Sequence, residues 1–255
     1  IKLNKFDDPD GKHAFWHSSA HLMAEAIESI YPGTKFGIGP AIENGFYYDV
    51  DPGDDVVITD ADLPKIEKKM KELASQKNPY SREDISKAEA LKLFEAKGDE
   101  YKTELIGDLE DGTITLYHQG SFTDLCRGPH LPSTGKLGFF KLQRVSGAYW
   151  RGNEQGPMLQ RIYGTAWESK QALAEHLDDP DAPLVRPKHD AREGVHQEHA
   201  RRLEVPGVPV GHSTREHRVG YDGVDSLVPT KTHPQNLEKG VAGNHTHEGN
   251  QDAIG

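Results

Sequence analysis

The chain has 255 residues, 35 % apolar residues, a mean hydropathy of −0.73 and a formal net charge of −11, which fits one large domain or two small ones. No apolar run approaches the roughly 18 residues of a membrane-spanning helix, the first residues lack the layout of a secretory signal, and Cys126 is the only cysteine. These features exclude an integral membrane protein and a secreted disulfide scaffold, and they predict a cytoplasmic protein.

The charge is distributed unevenly along the chain. Residues 1–119 contain 14 Lys/Arg and 24 Asp/Glu, whereas residues 120–167 contain six Lys/Arg and two Asp/Glu. A polyanionic ligand would therefore bind to the second segment and not to the surface as a whole. Chance clustering explains the same distribution equally well.

The first predicted helix covers residues 17–31, where Leu22, Ala26 and Ile30 recur at every fourth position. Two strands are expected at 35–42 and 46–50, because Asn44-Gly45 is a strong signal for a tight turn.

Further helices and strands follow in a mixed order. We predict helices at 59–76, 86–96 and 100–109, with Ser86 as an N-cap, and strands at 113–118, 137–145 and 160–165. The helix at 59–76 has an apolar stripe formed by Leu63, Ile66, Met70 and Leu73. Because helices and hairpins follow one another without strict alternation, the pattern predicts an α+β fold with a mostly antiparallel sheet packed with helices.

The chain has two parts of different composition. Residues 1–167 contain every Phe and every Trp, while the 88 residues from Glu168 onward contain one aromatic residue, Tyr221, and nine of the 14 histidines. We therefore predict a folded domain at 1–167, a short helix at 168–178, and a largely unstructured tail at 179–255 that is more consistent with solvation than with a metal site.

Two histidines in the first predicted helix are candidate functional residues. His17 and His21 are four residues apart and therefore share one helix face, which suits metal binding or joint contact with a substrate. An ordinary surface or core pair is the structural alternative. A zinc-protease motif needs Glu directly after the first histidine, where Ser18 stands, so that class is excluded.

A second group of polar residues lies in the segment that follows Asp124. We expect a loop that contains Cys126, Arg127 and His130 and is stiffened by Pro129. Because the residues near Cys126 are polar, we do not expect this cysteine to be only a small buried apolar residue. The two groups together have the composition of a four-ligand zinc site or, equally, of a metal-free set of acids, bases and donors: His17, His21, Cys126 and His130.

Five segments, in this order, resemble the editing domain of bacterial threonyl-tRNA synthetase, whose fold the editing part of alanyl-tRNA synthetase and related deacylases share. They are HSSAHLMAEAI, FGIGPAIENGFYYD, DLCRGPHLP, KLQRVSGAYWRG and MLQRIYGTAW, and the resemblance covers residues 6–166. It implies hydrolysis of mischarged seryl-tRNA(Thr) by water, with the acceptor end of tRNA(Thr) as partner. Complete synthetases of this family form homodimers.

The resemblance also implies roles for individual residues. His17 and Lys102 match the positions that orient or deprotonate the water, and His130 completes the expected catalytic set. We favour His17 as the water-orienting group and Lys102 as the electrostatic one, because a lysine acts as a base only with a lowered pKa. Without the resemblance, Lys102 would be taken for a surface lysine.

Substrate binding is expected from a further set of five residues. Asp124 matches the carboxylate that holds the substrate ammonium, and Tyr48, which could otherwise be a core residue, matches the aromatic near the serine side chain. The remaining members line the same pocket: His21, Cys126 and Arg127.

The resemblance bears on whether the predicted site works without a metal or with zinc. Relatives of the alanine type use the two-histidine, cysteine and histidine set as zinc ligands, whereas the threonine type generally works without a metal there. Because the surrounding motifs follow the threonine type, we expect no cofactor, with zinc at His17, His21, Cys126 and His130 as the alternative.

The resemblance does not extend to the ATP-binding core of a synthetase, so we expect a fragment without ligase activity. Residues after 178 match nothing in that family, and one hypothesis is an out-of-frame tail. The alternatives to an editing enzyme are a tRNA-binding module without catalysis and an inactive fragment.

Overall fold

The computed structural model describes residues 4–179. Within this range the helices are α1 (Pro9–Ile30), α2 (Leu63–Ser75), α3 (Lys87–Lys97), α4 (Glu100–Gly107) and α5 (Lys170–Asp178). The strands are β1 (Lys35–Phe36), β2 (Ala41–Ile42), β3 (Gly45–Asp51), β4 (Ser81–Asp84), β5 (Thr115–Gln119), β6 (Phe122–Leu125), β7 (Phe139–Tyr149) and β8 (Met158–Trp167).

The strands form two antiparallel sheets. The larger sheet has the order β1-β3-β8-β7, with β2 also paired to β3, and the smaller one has the order β4-β5-β6. The α+β class with a mostly antiparallel sheet is therefore confirmed. The predicted tail at 179–255 lies, apart from Asp179, outside the described residues.

Helix α1 is longer than the predicted helix at 17–31. It begins at Pro9, whose restricted φ angle suits the first turn of a helix and whose missing N–H costs nothing there. The added turns bury Phe15 and Trp16, and the indole of Trp16 donates a 2.7 Å hydrogen bond to the Ala166 carbonyl on β8. The apolar spacing alone did not include these turns.

The strand predicted at 35–42 is interrupted and forms the short strands β1 and β2. Gly39 lies so close to the ring of Tyr48 that a side chain there would clash, and Pro40 has no N–H to donate to a neighbouring strand. The predicted turn is present, with Asn44 at a φ of 62° between β2 and β3.

The remaining helices follow the predicted pattern. The stripe predicted on α2 is buried, and Ser86 caps α3 by accepting a hydrogen bond from the N–H of Glu89. The helix predicted at 168–178 is present as α5. Strands β4 and β6 were not predicted. The residues of β4 are all exposed, so they lack the alternation that identifies a strand.

The main core lies between the larger sheet and the helices α1 and α2, with Leu22, Met23, Ile27, Ile66 and Met70 fully buried. A second cluster joins α3, α4 and β5. In the described part of the chain, no helix is both long enough and apolar enough to cross a membrane. The candidate site lies where α1 meets the segment after β6.

Candidate functional site

The segment after β6 brings Cys126 and His130 to the polar face of α1. The N–H of Cys126 donates to the carbonyl of Thr115 at 3.1 Å, which ties the start of the segment to β5. Gly128 has a φ of 69°, its peptide bond to Pro129 is cis, and a side chain on Gly128 would clash with Tyr117. The segment can therefore lie close to β5 only with glycine at this position.

Four side chains that are distant in sequence meet at this place. One donor atom from each lies within 4.8 Å of the others, in the group His17, His21, Cys126 and His130. The Sγ atom of Cys126 is 3.3 Å from Nε2 of His17 and 3.1 Å from Nε2 of His130. We call this group the quartet, and its convergence agrees with the expectation from the resemblance.

Burial keeps three members of the quartet uncharged: His21, His130 and Cys126. It lowers the pKa of His21 to about 4, although Asp124 opposes the shift, and it lowers the pKa of His130 well below its ordinary value. Burial likewise raises the pKa of the Cys126 thiol, and nearby Asp124 adds to that effect. His21, His130 and Cys126 are therefore neutral donors and acceptors at neutral pH.

Asp124 on β6 connects the quartet to Lys102. The Nζ atom of Lys102 lies 2.5 Å from Oδ1 of Asp124, and Nε2 of His21 lies 3.3 Å from Oδ2. The hydroxyl of Tyr48 donates to Oδ2 of Asp124 and accepts from Nζ of Lys102 at 3.1 Å. Burial by itself would raise the pKa of Asp124, but Lys102 and His21 lower it, so that carboxylate is ionised.

Lys102 is buried, with 2 % of its surface exposed. It is therefore not the surface lysine that the sequence without the resemblance would suggest. It lies in the first turn of α4, where the Asp99 side chain accepts a 3.1 Å hydrogen bond from its N–H. Asp99 also accepts from the N–H of Phe36, so it joins α4 to β1. These bonds fix the stem of Lys102 and direct its ammonium to Asp124.

The other two predicted substrate-binding residues lie in different surroundings. Tyr48 is fully buried on β3, and burial raises the pKa of its hydroxyl well above the ordinary value. Arg127 is partly buried in the segment after β6, and burial lowers its pKa. A cavity of about 150 Å³ borders Lys102 and Asp124 from the side of β1 and α3, and the quartet does not line it.

Residues that the sequence analysis did not select support the quartet. The hydroxyl of Ser18 lies 3.1 Å from Nδ1 of His130, and the ring of Tyr80 stacks on His130 with the centroids 5.0 Å apart. Ser18 lies between the two predicted histidines, but its partner is 112 residues away, so no local pattern indicates the contact.

The quartet also has the donor chemistry of a zinc site. Thiolate and imidazole are the ligands that zinc prefers, and four of them satisfy a tetrahedral ion. The residues present therefore fit zinc; if three of them held the ion, its fourth position would remain for a water, whose pKa the zinc would lower.

Comparisons with known proteins agree with this geometry. Residues 114–163 match the family model described as threonyl and alanyl tRNA synthetase second additional domain. Threonine–tRNA ligases from Porphyromonas gingivalis and Parabacteroides distasonis are 64 % and 62 % identical to this chain over 178 and 177 residues. The same ligase from Cytophaga hutchinsonii is 56 % identical over 177 residues.

These alignments include 69–70 % of this chain, which spans 27 % of the length of each of the three relatives. The matched family residues contain β5, β6 and the segment that carries Asp124, Cys126 and His130. The family match thus includes Cys126 and His130 of the quartet, whereas His17 and His21 lie outside the matched residues.

Proposed function

We propose that this chain edits tRNA, because residues 114–163 match the threonyl and alanyl tRNA synthetase second additional domain and a threonine–tRNA ligase is 64 % identical over 178 residues. The proposed reaction is hydrolysis of the ester that joins serine to the terminal ribose of tRNA(Thr), with water as the nucleophile. The observation that supports it best is the meeting of the quartet with the buried Lys102–Asp124 pair. Neutral imidazoles beside a fixed ammonium suit activation of water and stabilisation of an oxyanion.

His17 is the proposed water-orienting residue. A neutral imidazole accepts a proton from water at neutral pH, and His17 is the member of the quartet at the partly exposed side of α1. Lys102 would stabilise the negative charge that develops on the ester oxygen, because its ammonium is already fixed by Asp124. His130 is the third proposed catalytic residue, as its Nε2 atom is directed at Cys126 within the same group.

The seryl group would be held by the residues around Asp124. Since Asp124 already contacts Lys102, His21 and Tyr48, a substrate ammonium would share this carboxylate with Lys102. Serine is distinguished from threonine by one methyl group, which is worth about 1–3 kcal/mol in a binding pocket, so a second, hydrolytic selection is useful. Cys126, Tyr48 and Arg127 are the proposed neighbours of the seryl group and the terminal nucleotide.

The test is deacylation of tRNA(Thr) charged with serine or with threonine by the full chain. We expect serine to be released faster than threonine, because the methyl group of threonine hinders a productive fit. Lys102→Met keeps the length of the side chain without its charge and should reduce serine release by about 100-fold. Equal rates for both esters, or release at the rate of the buffer alone, would reject the proposal.

A zinc-dependent deacylase is the second candidate, since the donor set of the quartet fits zinc. The measurement that separates it is metal analysis of purified wild-type protein and of Cys126→Ala. Our proposal expects no stoichiometric zinc in either protein. One zinc per chain, lost on substitution of Cys126, would favour the second candidate.

A further inference from the structure

The ring of His130 is held from three sides by residues outside the proposed catalytic set and by Cys126. Tyr80 stacks on its face with an interplanar angle of 3°, Oγ of Ser18 lies 3.1 Å from Nδ1, and Sγ of Cys126 lies 3.1 Å from Nε2. Both ring nitrogens therefore have a polar neighbour. A neutral imidazole has one proton, so one of these nitrogens donates and the other accepts.

The hydrogen bonds of the Ser18 hydroxyl favour one of these two arrangements. The N–H of Leu131 donates to Oγ of Ser18 at 2.9 Å, so this oxygen uses one lone pair as an acceptor. A hydroxyl also has one proton to donate. Among the described residues, the other hydrogen-bond partner of this hydroxyl is Nδ1 of His130, whereas the neighbouring Ser19 donates to the Phe15 carbonyl.

We propose that Ser18 is a positioning residue whose hydroxyl donates to Nδ1 of His130 and thereby places the ring proton of His130 on Nε2. The Nε2–H of His130 then donates to Sγ of Cys126. This sulfur also accepts a 3.2 Å hydrogen bond from the N–H of Gly128. The proton of the buried thiol is left to donate to Nε2 of His17, 3.3 Å away. The hydrogen bonds of this series thus all donate in the same direction. The series begins at the N–H of Leu131, passes through Ser18, His130 and Cys126, and ends at His17.

This direction has a chemical consequence for His17. Its Nε2 atom is the acceptor at the end of the series, so the unprotonated nitrogen of His17 faces the interior of the quartet. An imidazole takes a proton from water only through an unprotonated nitrogen, so a water would have to replace the Cys126 thiol as the hydrogen-bond partner of this nitrogen. The value of this arrangement for hydrolysis depends on the proposed function, whereas the proton positions themselves do not.

Nuclear magnetic resonance of histidine labelled with ¹⁵N in the full chain tests the proton positions, because protonated and unprotonated ring nitrogens have distinct shifts. The ring signals of His130 are assigned in the wild-type protein by through-bond correlation with its backbone resonances. In the wild-type protein we expect the proton of His130 on Nε2 and that of His17 on Nδ1. A proton on Nδ1 of wild-type His130 overturns the proposal, and this result does not depend on any variant folding.

Two adjacent serines provide a matched pair of variants. Ser18→Ala removes the donor to His130, so we expect His130 to shift towards the form protonated on Nδ1. Ser19→Ala removes an equally buried hydroxyl of the same helix that bonds to Phe15, and the His130 signals should stay as in the wild type. If Ser18→Ala leaves the proton of His130 on Nε2 in the folded protein, Ser18 does not position it.

Deacylation of seryl-tRNA(Thr) provides the second readout. We expect Ser18→Ala to reduce kcat by about tenfold with little change in KM, while Ser19→Ala retains the wild-type rate. A wild-type protein with the expected proton positions but no deacylation would reject the proposed function and leave the assignment to Ser18 intact. Full activity of Ser18→Ala with an altered His130 proton would overturn the contribution of Ser18 to the reaction.

Discussion

The two sides of α1 both pack against other parts of the domain, yet they are built differently. One side packs Leu22, Met23, Ala26 and Ile27, all with no exposed surface, against the core. The other side directs His17, Ser18, His21 and Glu25 towards β5, β6 and the segment after β6. The first side gains stability from apolar area without regard to direction, whereas the second requires a partner for each polar atom.

This difference teaches which residues serve the fold and which serve the site. Polar groups buried at a cost persist in a helix when they have a role that apolar residues cannot fill. We therefore expect substitutions on the apolar side of α1 to change mainly the free energy of unfolding. Substitutions on its polar side should change mainly the deacylation rate.

The largest expected effect on stability comes from Leu22→Ala on the apolar side. The side chain is fully buried, so its truncation leaves a cavity and lowers the free energy of unfolding by about 2–5 kcal/mol. Denaturant unfolding measures this change. The deacylation rate per folded molecule should equal that of the wild type, and a large loss of that rate in the folded variant would contradict the separation of the two sides.

His17→Ala on the polar side should have the opposite profile. We expect the deacylation rate to fall by about 100-fold, since the variant lacks the water-orienting group. Because His17 is only partly buried, the free energy of unfolding should change by about 1 kcal/mol or less. Single-turnover kinetics and denaturant unfolding measure the two quantities. Unchanged deacylation would remove His17 from the mechanism.

His21 makes the polar side sensitive to pH. Burial lowers its pKa to about 4, whereas an unfolded histidine has a pKa of about 6.5. Between these values the unfolded chain binds a proton that the folded chain does not. The free energy of unfolding should therefore fall by up to about 3 kcal/mol as the pH decreases from about 6.5 to about 4.

The control for this pH dependence is His21→Gln, which has no titratable group at the position. Its free energy of unfolding should fall less steeply over the same pH interval than that of the wild type. Denaturant unfolding at several pH values measures both slopes. Parallel slopes would show that His21 does not contribute.

The smallest expected effect is that of Ser19→Ala. Its hydroxyl donates a 2.9 Å hydrogen bond to the Phe15 carbonyl within α1, so its loss should lower the free energy of unfolding by about 1 kcal/mol. Deacylation should be unchanged. A reduced rate would place part of the site on the side of α1 that we assign to the core.

The sequence was most informative where local patterns determine the structure. The apolar spacing on α2 predicted the burial of Leu63, Ile66, Met70 and Leu73. The cap at Ser86 and the turn at Asn44 likewise depend on neighbouring residues alone. The close approach of Gly39 to the distant ring of Tyr48 arises from tertiary packing, so the strand pattern did not indicate it.

The site itself could be predicted only in part. Helical spacing placed His17 and His21 on one face, but their meeting with Cys126 and His130 came from the resemblance, because more than 100 residues separate the two groups. The burial of Lys102 and the contact of Ser18 with His130 arise from tertiary packing. A lysine or a serine in a helix gives no local sign of such a partner.

The most direct measurement of the central claim is single-turnover hydrolysis of seryl-tRNA(Thr) by the full chain after treatment with a chelator. We expect serine to be released at the same rate before and after the treatment, and His17→Ala to be slower by about 100-fold in both cases. No release with or without added zinc would contradict the editing function, and release that requires added zinc would contradict hydrolysis by the side chains alone.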